Sequence, residues 1–244
     1  MPDLEIVVFA PLIIVGAYVI FAITGFGSTL VAVPLLAHVL PLKFVIPVVV
    51  ALDCVSSIRM GVKLRANVYK AEVLPLLPFM IAGMLGGVFF LLRVPANVLL
   101  GALGTLVMLF GISYAAKRGA AMRLARWTAA PIGLFAGTAS SAFGVGGPLY
   151  VFFLTGRGAT PDQIRATMPV IFIFTTIARI ALFAAAGLFT VEVLVTSALL
   201  LPVMALGLYA GNRLHLNLAR EHVIRLIGAL LTVSGFSLIV RAVA

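Results

Sequence analysis

Two ionisable residues and two glycine-rich stretches carry the chemistry this sequence offers. Asp53 lies in Val50-Ala51-Leu52-Asp53-Cys54-Val55-Ser56-Ser57, and Arg179 in Phe174-Thr175-Thr176-Ile177-Ala178-Arg179-Ile180. Each is in the middle of an apolar run. An ionisable side chain at a bilayer centre costs about 2.5–3.5 kcal/mol on insertion scales, so each calls for a partner or a cavity. Arginine there is a fixed positive charge whose planar fork suits a carboxylate or an oxyanion. Asp53 suits a proton carrier, or a counter-charge that holds Arg179 when a binding site is empty. A structural Asp53–Arg179 pair that only fixes helix packing is the competing reading.

The first glycine-rich stretch is Ser140-Ser141-Ala142-Phe143-Gly144-Val145-Gly146-Gly147-Pro148, and a weaker copy is Thr24-Gly25-Phe26-Gly27-Ser28-Thr29. Setting Gly144 on Gly25 brings Gly146 onto Gly27, Gly147 onto Ser28 and Leu149 onto Leu30. Glycine costs about 1 kcal/mol against alanine in a helix interior and proline about 3, so both stretches should interrupt a helix. Opened backbone at membrane depth is tolerated only where protein or a watery cavity covers it. One break per chain half points to a binding site near the bilayer midplane. The helix ends there add N–H donors and positive dipole ends. The candidate substrate-binding residues are Gly25, Gly27, Ser28, Thr29, Ser140, Ser141, Gly144, Gly146, Gly147, Thr175, Thr176 and Arg179. Asp53 is the candidate coupling group or counter-charge. For Ser56, Ser57, Thr175 and Thr176, hydrogen bonds back to helix carbonyls are the plainer alternative.

The elements that position these residues are membrane helices. The 244 residues are 63% apolar and only 10% charged, with a mean hydropathy of +1.25. Several runs reach the roughly 20 residues needed to cross about 30 Å of hydrocarbon. The fold expected is an all-α polytopic membrane protein. Asp3 and Glu5 replace the basic n-region of a cleaved signal peptide, so the N-terminus reads as the start of a span. The net charge of +10 does not imply nucleic acid, because the basic residues cluster in short loops, as the positive-inside bias requires. The single cysteine, Cys54, excludes an intrachain disulfide. His38, His215 and His222 are scattered and lack metal-ligand spacing, so no metal and no cofactor are expected.

Apolar segments fall at 4–24, 26–41, 43–61, 73–92, 95–116, 128–143, 146–156, 166–187, 190–211 and 221–243. That gives about eight long helices, or ten counting the short hairpin arms. Placing loops 59–72, 117–127, 156–165 and 212–222 in the cytoplasm, with Arg225 beside the last of them, leaves only Lys43, Arg93 and Arg241 outside and Arg179 within a span, of 17 Lys and Arg. That asymmetry sets the orientation. Both termini are then external. Residues 1–116 form a first membrane repeat, 117–127 a basic linker and 128–244 a second repeat. Pro47 matches Pro169, Pro78 matches Pro202, and Gly83 and Gly87 match Gly207 and Gly211. Each repeat is a Gly-broken hairpin followed by three spans, so the second begins on the opposite face. The repeats are therefore inverted, as in many secondary transporters. The paired G-x-x-x-G motifs read as close helix contacts.

Gly25-Phe26-Gly27-Ser28 with Pro34-Leu35 downstream, and Phe143-Gly144-Val145-Gly146-Gly147 before a second apolar arm, resemble the paired glycine motifs of the TauE/SafE sulfite-exporter family. The resemblance covers nearly the whole chain, including its length, basic mid-loop and duplicated layout. Ser28 stands where a further glycine is common in the family, and Pro148-Leu149 follows the second motif directly. The resemblance implies an inner-membrane permease for small anions such as sulfite or organosulfonates.

The function read from the sequence is a secondary transporter working by alternating access in the cytoplasmic membrane. Its anion is expected between the two broken hairpins and Arg179. No Walker-type loop points to an ATPase. Its partners are a small anionic substrate and the lipid bilayer, and a homodimer is left open. The alternatives are a passive anion channel and an intramembrane enzyme. An enzyme needs a nucleophile with a base, or paired carboxylates. The relevant spans offer one carboxylate, Asp53, and no histidine near Ser140 or Ser141 in sequence.

Overall fold

The computed structural model describes residues 4–24, 27–61, 68–115, 123–214 and 220–243. Ten α-helices occur among them: α1 (Leu4–Thr24), α2 (Ser28–Leu36), α3 (Leu42–Gly61), α4 (Lys70–Arg93), α5 (Ala96–Ala115), α6 (Ala129–Phe143), α7 (Gly147–Gly156), α8 (Pro161–Ala185), α9 (Val191–Leu214) and α10 (Arg220–Val243). Arg126–Thr128 forms one 3-10 turn before α6. Five of the helices are long and apolar enough to cross a membrane, judged on the described residues. α2 and α7 are short, at 9 and 10 residues.

Two boundaries differ from the apolar pattern. α2 stops at Leu36, where an apolar arm to residue 41 was expected. The chain tightens into i→i+3 hydrogen bonds, His38 N–H to the Leu35 carbonyl at 3.3 Å and Val39 N–H to the Leu36 carbonyl at 3.0 Å. Pro41 follows, and the residue before a proline is driven out of the helical region. α8 begins at Pro161 rather than 166. Thr160 caps it with a reciprocal box, its hydroxyl accepting from Gln163 N–H while the Gln163 side chain accepts from Thr160 N–H. Such a box satisfies two orphan donors of the first turn, and Pro161 at the first helical position lacks the N–H that would be orphaned there.

The chain divides into two compact units. One comprises Met1–Leu52, Val94–Arg118 and Phe189–Ala244, and so contains α1, α2, the start of α3, α5, α9 and α10. Here α1 packs on α9 and α5 on α10. A Cβ on Gly207 would sit 2.7 Å from the Val15 carbonyl oxygen, and one on Gly211 2.7 Å from that of Val19. The contacts advance together along both helices, so α1 and α9 run parallel. α5 and α10 are antiparallel, with Gly101 facing Ala242 and Gly111 facing Gly228 and Thr232. At their crossing Gly104 and Gly235 oppose one another, each hypothetical Cβ within 2.8 Å of the other's carbonyl oxygen. Small residues let helix backbones approach where lipid removes the hydrophobic drive for association.

The other unit comprises Asp53–Arg93 and Gly119–Leu188, holding the rest of α3 with α4, α6, α7 and α8. α4 packs along α6. Gly83 abuts the Leu134 carbonyl, Gly87 lies against Thr138, and Gly137 abuts the Met80 carbonyl, so these helices are also parallel. Two hydroxyls stitch the seam: Thr138 Oγ1 donates to the Gly83 carbonyl at 3.0 Å and Ser141 Oγ to that of Met84 at 2.8 Å. Interhelical bonds of this kind average about 0.6 kcal/mol in membranes. Leu76, Met80, Met84, Tyr150, Phe153, Leu154 and Ile171 form the buried core.

The two parallel seams repeat one another. In the register that sets Gly144 on Gly25, Leu134 falls on Val15 and Thr138 on Val19. Gly83 and Gly87 meet the first pair of positions on α6, and Gly207 and Gly211 meet the second pair on α1. Each seam joins the first hairpin arm of one chain half to the fourth helix of the other.

Candidate anion site at the second broken hairpin

The second break has the geometry its composition demands. α6 ends at Gly144, whose φ of 76° and ψ of 8° lie in the left-handed region that a side chain would strain. Gly144 N–H donates to the Ser140 carbonyl at 2.9 Å and Val145 N–H to that of Ala139 at 3.2 Å, closing the helix end. α7 then starts at Gly147 with Pro148 in its first turn. Gly146 is needed for space rather than torsion. A Cβ there would overlap Ser140 Oγ and lie 2.6 Å from the Ala136 carbonyl oxygen.

That close approach brings the two arms into polar contact. Ser140 Oγ on α6 and Tyr150 Oη on α7 are 3.1 Å apart and hydrogen-bonded, both buried. Tyr150 is fully buried and Arg179 on α8 is 4% exposed. The Arg179 guanidinium lies 5.9 Å from the Phe183 ring centroid and within electrostatic reach of Tyr150. Thr175 and Thr176, four and three residues before Arg179, share its helix face and are buried. This unit therefore holds the helix break with its Ser140–Tyr150 pair and, on α8, the buried Arg179. A guanidinium and hydroxyls are groups that can hold an oxyanion through charge-assisted hydrogen bonds. The same group is poorly built for nucleophilic catalysis. The partner of Ser140 is a phenol, which ordinarily titrates near pH 10 and so does not draw a serine proton at neutral pH.

Other candidate residues have structural partners. Ser141 commits its hydroxyl to the α4 seam. Thr175 Oγ1 donates back to the Phe172 carbonyl at 3.1 Å and Ser56 Oγ to the backbone carbonyl of Asp53 at 3.0 Å, so the plainer alternative holds for these two. Gly147 is less constrained than Gly146, with a Cβ meeting only the Phe172 ring at 3.3 Å. Asp53 is buried, 8% exposed. The side chain of Ser57 lies outside the described residues.

The first hairpin is described by itself. Gly25 and Phe26 fall outside the described residues. Gly27 precedes α2 with a φ of 98°, and Ser28 and Thr29 are buried in its first turn. Among the described residues no cluster of His, Cys, Asp and Glu is set to hold a metal. His38 is engaged instead, Nδ1 with the Pro34 carbonyl at 2.8 Å and Nε2 with Ser237 Oγ at 3.0 Å.

Two features escaped the sequence reading. Tyr150 sat in an apolar arm with nothing to distinguish it from core filler. Arg157, read only as a topogenic cation, clamps Glu72. Its Nε donates to Glu72 Oε2 and Nη2 to Oε1, both at 2.8 Å, while Nη1 donates to the Leu124 carbonyl at 2.7 Å. The hydrogen bond to Glu72 raises the pKa of Arg157 above its ordinary value. Leu124 N–H in turn reaches the Gly156 carbonyl at 2.8 Å, and Tyr69 N–H reaches Thr167 Oγ1 at 2.9 Å. One end of this unit is thereby tied together by bonds among the stretches before α4 and α6, the α7–α8 connection and the first turns of α4 and α8.

A multi-pass membrane protein, helical without strands among the described residues, with a buried arginine in the same unit as a glycine-broken hairpin, is the class these features define. The chain belongs to the sulfite exporter TauE/SafE family, whose profile matches residues 10–238. It is 29% identical over 144 residues to a Cupriavidus necator protein named "Probable sulfite/organosulfonate exporter TauE". That stretch covers 59% of this chain and 56% of the relative, so the match spans little more than half of the relative's length. The family description is of an exporter, not an enzyme. No solved structure matches the chain.

Proposed function

We propose that this protein is a secondary transporter that exports small oxyanions, sulfite or organosulfonates, across the cytoplasmic membrane. The observation that carries the reading is the buried Arg179 guanidinium in the same unit as the hydrogen-bonded Ser140–Tyr150 pair, within electrostatic reach of Tyr150 at the break between α6 and α7. Arg179 supplies the charge, and the hydroxyls and the α7 N-terminus supply donors. Gly27, Ser28 and Thr29 serve the first hairpin in the equivalent role, and Asp53 is the coupling group or counter-charge. The substrate class is drawn from the family and from the name of the C. necator relative.

The halves are read as inverted repeats, 1–116 and 128–244 about the linker at 117–127. The duplicated seams of Gly83 and Gly87 on α6 and of Gly207 and Gly211 on α1 support this reading. The parallel pairs α1/α9 and α4/α6 and the antiparallel pair α5/α10 fit a topology with both termini external. Transport then proceeds by alternating access, one bundle moving against the other around the bound anion. An inside-negative potential favours export of a monoanion by about 2.3 kcal/mol per 100 mV, which drives efflux without a second ion. Proton coupling through Asp53 and assembly as a homodimer are additions this reading permits.

A thermal-shift screen of the purified protein against sulfite, sulfoacetate, sulfate and short carboxylates tests the reading. Ligand at 100 times its dissociation constant stabilises the folded state by about 2.7 kcal/mol. A shift with a sulfur oxyanion that is lost in Arg179→Ala supports it. A shift that Arg179→Ala leaves intact removes Arg179 from the site.

A further inference from the structure

The unit that contains the first hairpin holds a cavity lined by two cations, far in sequence from Arg179. It has a volume of about 450 Å³ and opens where the turn after α2, the α4–α5 connection and the end of α10 meet. Its walls include Leu40, Leu42, Leu99 and Leu100, and its charged lining residues are Lys43 and Arg241. Both cations are exposed. Arg241 is held in place: Nη1 donates to the carbonyls of Ala37, at 3.1 Å, and of His38. That anchoring leaves Nε and Nη2 of the guanidinium fork for an incoming oxyanion. The cavity also receives the first residues of α3 (Leu42 and Lys43) and of α5 (Ala96). Two helix N-termini thus add their positive dipole ends to the two side-chain cations.

We propose that this cavity binds the phosphate and adjoining chain of an anionic phospholipid. Three observations favour a lipid over a small free anion. The walls are largely aliphatic, which suits an acyl or glycerol segment and gives nothing to a hydrated ion. The volume is several times that of a sulfite or phosphate ion. The cavity lies at the ends of membrane helices, the level where lipid headgroups meet basic pockets between helices. The lipid phosphate bridges Lys43 and Arg241, and so ties the start of α3 to the end of α10 beside the turn that closes the first hairpin. This site shares no residue with the Arg179 site, and neither proposal depends on the other.

The test uses the full-length protein in a neutral detergent, with bound lipid counted by native mass spectrometry and Tm followed in parallel. The probes are phosphatidylglycerol, phosphatidylcholine of matched chains, and inorganic phosphate. Phosphatidylglycerol is expected to bind and raise Tm, with the other two ineffective. Each cation near a membrane surface contributes enough that losing both in Lys43→Gln/Arg241→Gln should weaken phosphatidylglycerol about 30-fold. Because Arg241 also anchors the turn after α2, Leu100→Trp, which fills the cavity and keeps both charges, is the control for misfolding; it should also abolish binding. Equal binding of phosphatidylcholine, or phosphatidylglycerol binding that survives both variants, overturns the proposal. A shift with inorganic phosphate equal to that with phosphatidylglycerol also overturns it, in favour of a free-anion site.

Discussion

Ser140 and Tyr150 join the two arms of a broken helix through hydroxyls 3.1 Å apart, with no water-accessible surface on Tyr150. The contact exists because Gly146 has no side chain to occupy the space between them. A left-handed Gly144 turns the chain, a bare Gly146 lets the arms close, and two hydroxyls meet within electrostatic reach of Arg179. In the proposed cycle this is the part that exchanges an internal hydrogen bond for bonds to the anion.

Tyr150→Phe keeps the ring and removes that hydroxyl. A hydrogen bond to a charged group contributes about 1.5–3 kcal/mol, so transport kcat/KM should fall about 10- to 100-fold. Tm should change little, because the ring still fills its place. A flux assay and a melting curve on the same preparation separate the two effects. Unaltered flux would place Tyr150 in the core alone.

Arg179→Lys keeps the charge and loses the planar fork. Transport is expected to be weakened but measurable in Arg179→Lys and absent in Arg179→Ala. Equal activity in the two would show that neither charge nor fork is used.

Asp53→Asn separates coupling from packing. If Asp53 carries a proton, transport survives in the variant and loses its pH dependence. If Asp53 is the counter-charge of Arg179, the melting temperatures of Asp53→Asn, Arg179→Gln and the double variant will be non-additive. The double variant should then recover part of the stability lost in either single one.

The Glu72–Arg157 fork should hold one end of its unit together. Glu72→Gln removes the charge and one of the two oxygens that accept from Arg157, leaving a neutral acceptor in place of the bidentate fork, so Tm should fall. The pKa of Arg157 is raised, so its part in the fork is present below its unfolded pKa and lost only as pH rises past the folded one. That window is strongly alkaline. The Tm difference between wild type and Glu72→Gln should therefore stay constant from neutral to mildly alkaline pH.

The two glycine seams predict matched costs. Gly87→Val forces a branched side chain against Thr138, and overpacking of that kind costs about 1–3 kcal/mol. Gly211→Val should destabilise by a similar amount at the equivalent place on α1. Denaturation of both variants in mixed micelles measures this. A large cost at one and none at the other would weaken the repeat reading.

Much of this was legible from local pattern. Length of apolar run gave the helical segments and the short arms α2 and α7, although five helices rather than eight are long and apolar enough to cross a membrane among the described residues, and α6 has only 15 residues. The break at Gly144–Pro148 was legible because glycine and proline act on the backbone wherever they stand. The start of α8 was also written locally, in Thr160, Pro161 and Gln163, although the apolar run begins later. What stayed hidden depends on contacts between distant parts of the chain. Glu72 and Arg157 are 85 positions apart. Tyr150 became part of a polar site only through the fold of the hairpin. The Gly104–Gly235 crossing likewise has no meaning until α5 and α10 are paired.

The most direct test of the central claim is counterflow in proteoliposomes. Vesicles preloaded with unlabelled sulfite or sulfoacetate would be diluted into a trace of the labelled anion. The account predicts uptake that saturates, is stimulated by the internal anion, and disappears in Arg179→Ala protein of normal Tm. Flux that rises linearly with concentration and shows no trans-stimulation would contradict it in favour of a channel. Full counterflow in Arg179→Ala would contradict the site.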